Sequence, residues 1–300
     1  MSNIIGKAYT FGDRYIKFLD YNNVMTGWGS GTYKAINDYV YEVTWANYDH
    51  IIHFNPSYDQ YVSVRRGDLD CIKGTLNISL AEFLNLRGIY TFNNKCILQI
   101  GAHVGNTSND PIFKGIEQST KLVLVEPVPY LFRKLQENYK TKLNNTDNII
   151  FINKAVSDFI GEIDLTIPSE MNDFSMLPEW VTQLASINSN HAKDHIRSDS
   201  RLNNLVLDTI KVKTTTIDEI VNNYTINEIY LLHVDTEGHD YTILMNYSFT
   251  IKPKFILFEH KHIDGSFTIG DKYNTLSDKL ISLGYKKLYK ELEDTMFELC

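Results

Sequence analysis

Cysteine is scarce in this chain, long apolar runs are missing and positive charge is in deficit, and each shortage removes a class of protein. The three cysteines, Cys71, Cys96 and Cys300, are odd in number and far apart. No disulfide framework is expected from them, and a reducing compartment, the cytoplasm, is. The longest apolar runs, in KLVLVEP and KFILFEH, end after five or six residues, so no membrane-spanning helix is expected. The opening MSNIIGKAYTFGDRY has no basic segment followed by a long apolar one, and no secretory signal is read there. With 29 Lys and Arg against 37 Asp and Glu the net charge is -8. That balance argues against nucleic acid as a partner, because phosphate-backbone binding needs clustered cations, and Arg65-Arg66 is too small a cluster.

What remains is an ordinary globular composition, 43% hydrophobic and 22% charged over 300 residues, enough for one large core with an appendage. Residues 27–66 alternate aromatic and β-branched runs with Gly-Ser-Gly, Asn-Asp and Asn-Pro-Ser breaks, which predicts a meander of three or four antiparallel strands. Its aromatic residues Tyr33, Tyr41, Trp45, Phe54 and Tyr61 either fill a small core or stack on sugar rings; packing is the ordinary fate of aromatics in β modules. SLAEFLNLRG, 79–88, reads as a helix stopped by glycine.

Beyond it strands and helices alternate. Strands are expected near 95–100, 121–126, 149–155, 229–235 and 254–259, and helices near 107–118, 129–140, 216–223, 239–246 and 274–283. The strands are apolar without alternation, as in IYLLHVD, so both their faces should be covered by helices. The segments KKLYKEL and TMFELC, joined by Glu-Asp, predict a terminal antiparallel hairpin. Residues 168–208 are polar and fit only one helix, around Glu179–Ile187; an insertion of that length is a lid or substrate loop. The expected fold is therefore α/β: a doubly wound, mostly parallel, seven-stranded Rossmann-like sheet over residues 76–300, preceded by a small antiparallel β appendage over 1–75.

The loop Gly101-Ala102-His103-Val104-Gly105-Asn106-Thr107 follows the first of these strands, where open α/β sheets bind ligands. A dinucleotide fingerprint needs glycine where His103 and Asn106 stand, and no G-K-[ST] is present for a nucleoside triphosphate. A nucleoside fits better: the glycines admit a ribose beside the backbone, and Glu126, at the end of the second strand, accepts hydrogen bonds from its hydroxyls. That pairing is the pattern of S-adenosylmethionine (SAM) sites.

The ordered blocks IGAHVGNTS, VEPVPYLFRKLQEN, NKAVSD, TTTIDEI, HVDTEGHDYTIL and PKFILFEH, across about residues 95–262, resemble the FkbM family of SAM-dependent methyltransferases, class I enzymes that methylate hydroxyls of sugars and polyketides. The resemblance implies that Gly101, Ala102, His103, Gly105, Asn106 and Thr107 line the SAM loop. It also implies that Glu126, followed by Pro127, holds the ribose, and that Ala155, Val156 and Ser157 lie near the adenine. Gln99 departs from the family, in which Asp is common there, so the methionine end is held differently.

Methyl transfer needs alignment of donor and acceptor, and a hydroxyl acceptor gains from a base or a metal. Asp235, Glu237 and His239 end the fourth strand and Glu259, His260 and His262 the fifth. Acids at these two strand ends, Asp235 and Glu259 first among them, could hold Mg2+; alternatively His239, His260 or His262 is the base in a metal-free reaction. Asp235 is expected to touch the methionine end as well, whereas Asp240 reads as a helix cap. His191 and His195 in the insertion are further candidates for acceptor contact. The function expected is SAM-dependent O-methylation of a small-molecule or glycan acceptor. An NAD-linked sugar oxidoreductase or epimerase on the same fold, and a glycan-binding protein with a degenerate scaffold, are the rival readings.

Overall fold

The computed structural model describes residues 4–5, 7–11, 14–19, 22–26, 29–45, 48–67, 71–75, 89, 92–107, 110, 112–265, 267–290 and 293–300. The predicted helix at 79–88 falls outside them. The chain divides into two compact units, Met1–Arg87 and Gly88–Cys300.

The first unit is an antiparallel meander of eight strands: β1 (Ala8–Phe11), β2 (Arg14–Phe18), β3 (Asn23–Thr26), β4 (Gly29–Ala35), β5 (Val40–Trp45), β6 (Tyr48–Phe54), β7 (Gln60–Arg65) and β8 (Cys71–Thr75), paired in sequence order. It is twice the size expected, because the strands before Gly29 and after Arg66 are short and carry little alternation to read. The outermost strands, β1 and β8, also approach each other. Tyr33, Tyr41, Trp45, Phe54 and Tyr61 are all buried, with Tyr9, Phe11 and Phe18, in one aromatic core. Edge-to-face pairs such as Tyr9–Phe18 at 6.1 Å and Phe18–Tyr33 at 5.0 Å fill it, as ring quadrupoles favour. The sugar-stacking reading of these rings is thereby overturned, since none of the five offers a face to solvent.

The second unit is built on a seven-stranded sheet. Its strands are β9 (Cys96–Ile100), β10 (Lys121–Val125), β11 (Ile149–Ile152), β15 (Leu231–Val234), β16 (Phe255–Glu259), β17 (Tyr285–Lys290) and β18 (Asp294–Leu299), in the order β11-β10-β9-β15-β16-β18-β17. The first five run parallel, and β18 and β17 are antiparallel. The fully buried sequences of β9 and β16 explain the lack of alternation. The order reverses between β9 and β15, which opens a crevice at their carboxyl ends.

Helices α1 (Pro129–Lys142), α3 (Ile217–Asn223), α4 (Asp240–Asn246) and α5 (Asp271–Ser282) lie in the connections, with α2 (Ser189–Ser198) inside the insertion. Local signals set their ends. Proline opens α1, where its missing N–H costs nothing, and Lys140 and Lys142 close it at the negative end of the dipole. In α3 the Thr216 side chain accepts from Glu219 N–H at 3.0 Å, capping the helix. Leu131, Leu135 and Tyr139, four apart, form the buried stripe of α1.

Two helical expectations fail. Within 107–118 the described residues form turns: Asp110 Oδ1 accepts from the backbone of Ile112 at 2.7 Å and Phe113 at 2.8 Å, and Pro111 lacks the N–H a helix would use. In the insertion, Glu179–Gln183 is only a 3-10 turn after Pro178, and the helix comes later, α2, with Asn188 as its cap. The insertion is the elaborated tip of an antiparallel pair, β13 (Glu162–Pro168) and β14 (Leu207–Thr215); β14 also pairs in parallel with β12 (Ala155–Val156). It carries its own small core, from Val181 and Leu184 to Leu202 and Leu205.

Candidate active site

The glycine loop leaves β9 on backbone bonds: Gly101 and Ala102 N–H both donate to Val125 C=O at 3.0 Å. Gly101, His103 and Gly105 all take positive φ, +79°, +49° and +78°. At the glycines this conformation is free; at His103 it is strained. A Cβ on Gly101 would stand 1.7 Å from Asp235 O, and one on Gly105 2.6 Å from the Tyr139 ring. Both glycines make room for the chain itself, at the β9–β15 junction and against α1.

Glu126, 4% exposed, stands at the tip of β10. His103 N–H donates to its Oε2 at 2.9 Å and Val128 N–H to its Oε1 at 2.8 Å. Burial outweighs these two bonds and pushes its carboxyl up to about 7. Each oxygen keeps a further lone pair, and vicinal hydroxyls are donors of the right kind for them. Asn153 Nδ2 fixes the following turn, donating to Glu126 O at 2.8 Å and Pro127 O at 3.1 Å. Ala155 and Val156 are buried in β12, and Ser157 Oγ lies 3.0 Å from His239 Nε2. Asn106 turns outward to Asn138 Nδ2 at 2.8 Å, and Thr107 is half-buried beside it. Gln99 Nε2 donates to the buried Asp110 Oδ2 at 2.9 Å. Asp110 thereby places a buried carboxylate beside position 99, a proximity missed from sequence because it arises only from the turn after Thr107.

The insertion reaches this loop. Thr182 Oγ1 lies 3.0 Å from His103 Nε2, and burial holds the imidazole down near 4.

The second cluster lies at the ends of β15 and β16. Glu237, at φ +51°, and Gly238, at +101°, form a tight left-handed pair that aims Glu237 Oε2 at His262 Nε2, 3.3 Å away. Burial pushes the Asp235 carboxyl well up, reinforced by Glu237, Asp240 and Asp294. Asp240 does not cap α4. Its Oδ2 instead accepts from Thr236 Oγ1 at 2.8 Å. Glu259 is likewise raised by burial and then by Asp235 and Glu237. Lys261 Nζ stands 3.0 Å from Glu259 Oε1 and 3.4 Å from Glu293 Oε2. Burial pulls this ammonium down, but the surrounding carboxylates more than offset it and leave it raised.

His260, expected in the crevice, faces the other way: Nδ1 meets Thr295 Oγ1 at 3.1 Å and its ring packs on Tyr273 at 5.2 Å. Neighbours on a strand point to opposite faces, so Glu259 in the crevice puts His260 behind it.

Metal-ligand geometry also differs from expectation. Donor atoms of Glu237, Glu259 and His262 lie within 4.8 Å of one another, Glu259 Oε2 is buried with no hydrogen-bond partner, and the two-oxygen, one-imidazole set fits a divalent cation. Of the expected ligands only Glu259 belongs to this group; Asp235 does not.

A cavity of about 640 Å3 opens between the insertion and this cluster, with Ser186, Asn188 and His195 on one wall and Glu237, His239 and His262 on the other. The side chain of His191 lies outside the described residues.

No curated protein matches this chain. Among solved structures, a methyltransferase FkbM from Methylobacillus flagellatus KT is similar at 14% identity and a TM-score of 0.40, over 70% of this chain but 45% of its own, so this chain spans under half of that protein. Fibrillarin from Aeropyrum pernix, whose structure holds natively bound S-adenosyl-L-methionine, is similar at 13% identity and a TM-score of 0.37, over 86% of this chain and 92% of its own. Residues 99–293, well over half of the chain, match the methyltransferase FkbM domain, and the chain belongs to that family of methyltransferases.

Proposed function

We propose that this protein is a SAM-dependent O-methyltransferase acting on a hydroxyl of a sugar or glycan, on a Rossmann-like sheet. The observation that carries the reading is the Glu237–His262 pair on a cavity wall, on the same sheet edge as the amide-pinned Glu126. Glu126 is assigned to the ribose hydroxyls, whose donors would ease the cost of its burial, and Ser157 and Val156 to the neighbourhood of the base. When bound, SAM supplies a methyl group on an electron-poor sulfur. The Glu237–His262 pair would take the proton of the acceptor hydroxyl as that methyl group is transferred. His239, held by Ser157, positions the wall between the two ligands. Asp235, whose carboxyl is raised by burial and by Glu237, is assigned to the methionine end.

A second reading rests on the three clustered donors. Glu237, Glu259 and His262 would hold a divalent cation that polarises the acceptor oxygen. Chelation separates the two: a metal-free reaction survives EDTA, and the metal-assisted one stops and recovers with Mg2+ or Mn2+. The reading as a whole is tested by incubating the protein with methyl-labelled SAM and a panel of sugars and glycans. Base-stable label on oxygen is expected. Stabilisation by NAD with none by SAM would instead favour the oxidoreductase.

A further inference from the structure

The chain leaves β16 as Glu259-His260-Lys261-His262, and the lysine among these four is held from both sides. Its N–H donates to Glu293 O at 3.2 Å, beside His260 N–H at 2.7 Å, and its C=O accepts from Phe267 N–H at 2.8 Å. The side chain, 18% exposed, reaches back to the strand, with Nζ 3.0 Å from Glu259 Oε1 and 3.4 Å from Glu293 Oε2. The Phe267 ring centroid lies 6.0 Å from Nζ. A surface lysine keeps its ammonium in water; here two carboxylates and an aromatic ring take much of water's place.

Glu259 is the contested group. Its donor atoms lie within 4.8 Å of those of Glu237 and His262, so a divalent ion shared by the three and the Lys261 ammonium compete for one carboxylate. Glu259 is buried, with Asp235, Glu237 and Asp240 as its acidic neighbours. A buried carboxylate in such company needs a cation, and among the described residues Lys261 is the ion-pair partner it has. The tethered ammonium loses no translational freedom on pairing, whereas a free ion gives up both freedom and hydration water. An ion among the three donors would also stand beside the ammonium on the same carboxyl group, and that repulsion is strong where water is excluded. Glu259 Oε2, which has no hydrogen-bond partner, is the atom to which such an ion would attach once the ammonium was gone. With Glu259 engaged by Lys261, it is Glu237 that pairs with the imidazole, Oε2 standing 3.3 Å from His262 Nε2.

We infer that Lys261 is the resident cation of this cluster: it keeps divalent ions off the Glu237, Glu259 and His262 donors and, by engaging Glu259, sets Glu237 against His262. It is a positioning residue, acting through Glu259 and not on the acceptor. Its worth to turnover rests on the methyl-transfer reading; the exclusion of metal does not. The wild-type reaction accordingly runs without a divalent ion, and a chain deprived of the ammonium acquires the need for one.

The test is a Mn2+ titration of the full chain read by electron paramagnetic resonance, which separates free from bound ion, on the wild type, Lys261→Met, Lys261→Arg and Lys261→Met combined with Glu259→Gln. Wild type and Lys261→Arg are expected to leave Mn2+ free up to about 1 mM. Lys261→Met should bind it at least about tenfold more tightly, and adding Glu259→Gln should abolish the gain. In parallel, methyl transfer by the wild type should survive EDTA, while that of Lys261→Met falls by about 10²-fold and recovers in part with Mn2+ or Mg2+; Lys261→Arg should keep most of it. Mn2+ binding by the wild type as tight as by Lys261→Met would overturn the inference, and so would a Lys261→Met protein that melts earlier and turns over more slowly yet binds no Mn2+, the mark of a merely structural lysine. Should Lys261→Met not fold, Lys261→Gln, which leaves a polar head beside Glu259 without the charge, carries the same expectations. A wild type that binds no S-adenosylhomocysteine in calorimetry counts against the methyl-transfer reading, with the Mn2+ comparison still deciding the part played by Lys261.

Discussion

The two units of this protein spend their buried volume differently. In the first, described buried residues are nearly all apolar or aromatic, with Thr26, His50 and Ser63 as the polar exceptions. In the second, Asp110, Glu126, Asp240 and Glu259 are buried along with His233 and His260. An aromatic core contributes stability directly. Buried carboxylates cost stability unless something supplies donors or cations. Four acids, Asp235, Glu237, Asp240 and Glu259, crowd the ends of β15 and β16 with Lys261 as a close cation, which is the signature of a surface kept for chemistry rather than for folding.

The sharpest way to test that contrast is to remove function without structure. His262→Ala should lower turnover by about 10²–10⁴-fold, the usual worth of a general base, with SAM affinity and melting temperature nearly unchanged in calorimetry. A loss of folding instead would make the Glu237–His262 pair structural. Next in size is Gly101→Ala, whose Cβ would meet Asp235 O at 1.7 Å at φ +79°. Clash and left-handed strain together should cost on the order of 4 kcal/mol in denaturant unfolding. Phe18→Ala, fully buried in the first unit, should cost about 3–5 kcal/mol. SAM affinity measured below the transition should stay as it was; a parallel loss of affinity would break the contrast between the units.

Glu126 gives the sign-dependent prediction. Its carboxyl, ordinarily near 4.5, is raised to about 7 by burial. The empty protein therefore carries the cost of ionising it as pH rises from 4.5 through 7, on the order of 3 kcal/mol at most. Ribose hydroxyls favour the ionised form, so SAM should bind more tightly above pH 7 than below. Glu126→Gln should weaken SAM binding by about 10–100-fold and flatten this pH dependence in titrations between pH 5.5 and 8.5. A steep dependence surviving in the variant would locate the titration elsewhere. The smallest effect is expected for Thr182→Val, which removes the partner of His103. It should cost no more than about 1 kcal/mol, visible as faster amide exchange in 101–105 and 180–184.

Reading the sequence placed the strand tips that matter. Glu126 and Glu259 were legible because apolar runs ending in an acid mark the carboxyl ends of buried parallel strands. The helix expected near 216–223 was equally legible, and it runs as α3 from Ile217 to Asn223. The aromatic runs of the meander predicted strands, but not that eight of them share one core. His260 and His262 both looked suitable, and alternation could not have separated them, since residues two apart share a side; the turn after His260 is what brings His262 to Glu237.

What the sequence determined by itself was whatever depends on neighbours a few residues apart: strand apolarity, helix ends, the left-handed freedom at Gly101 and Gly105. Only the tertiary structure set Asp235 O and Tyr139 against those glycines. It alone joined Asp110 to Gln99, Thr182 to His103 and His262 to Glu237, and set polar residues of the insertion around a cavity. Those pairings span from 11 to 79 residues. Contacts at such separations follow from how strands order in the sheet and where turns end, which no local propensity encodes.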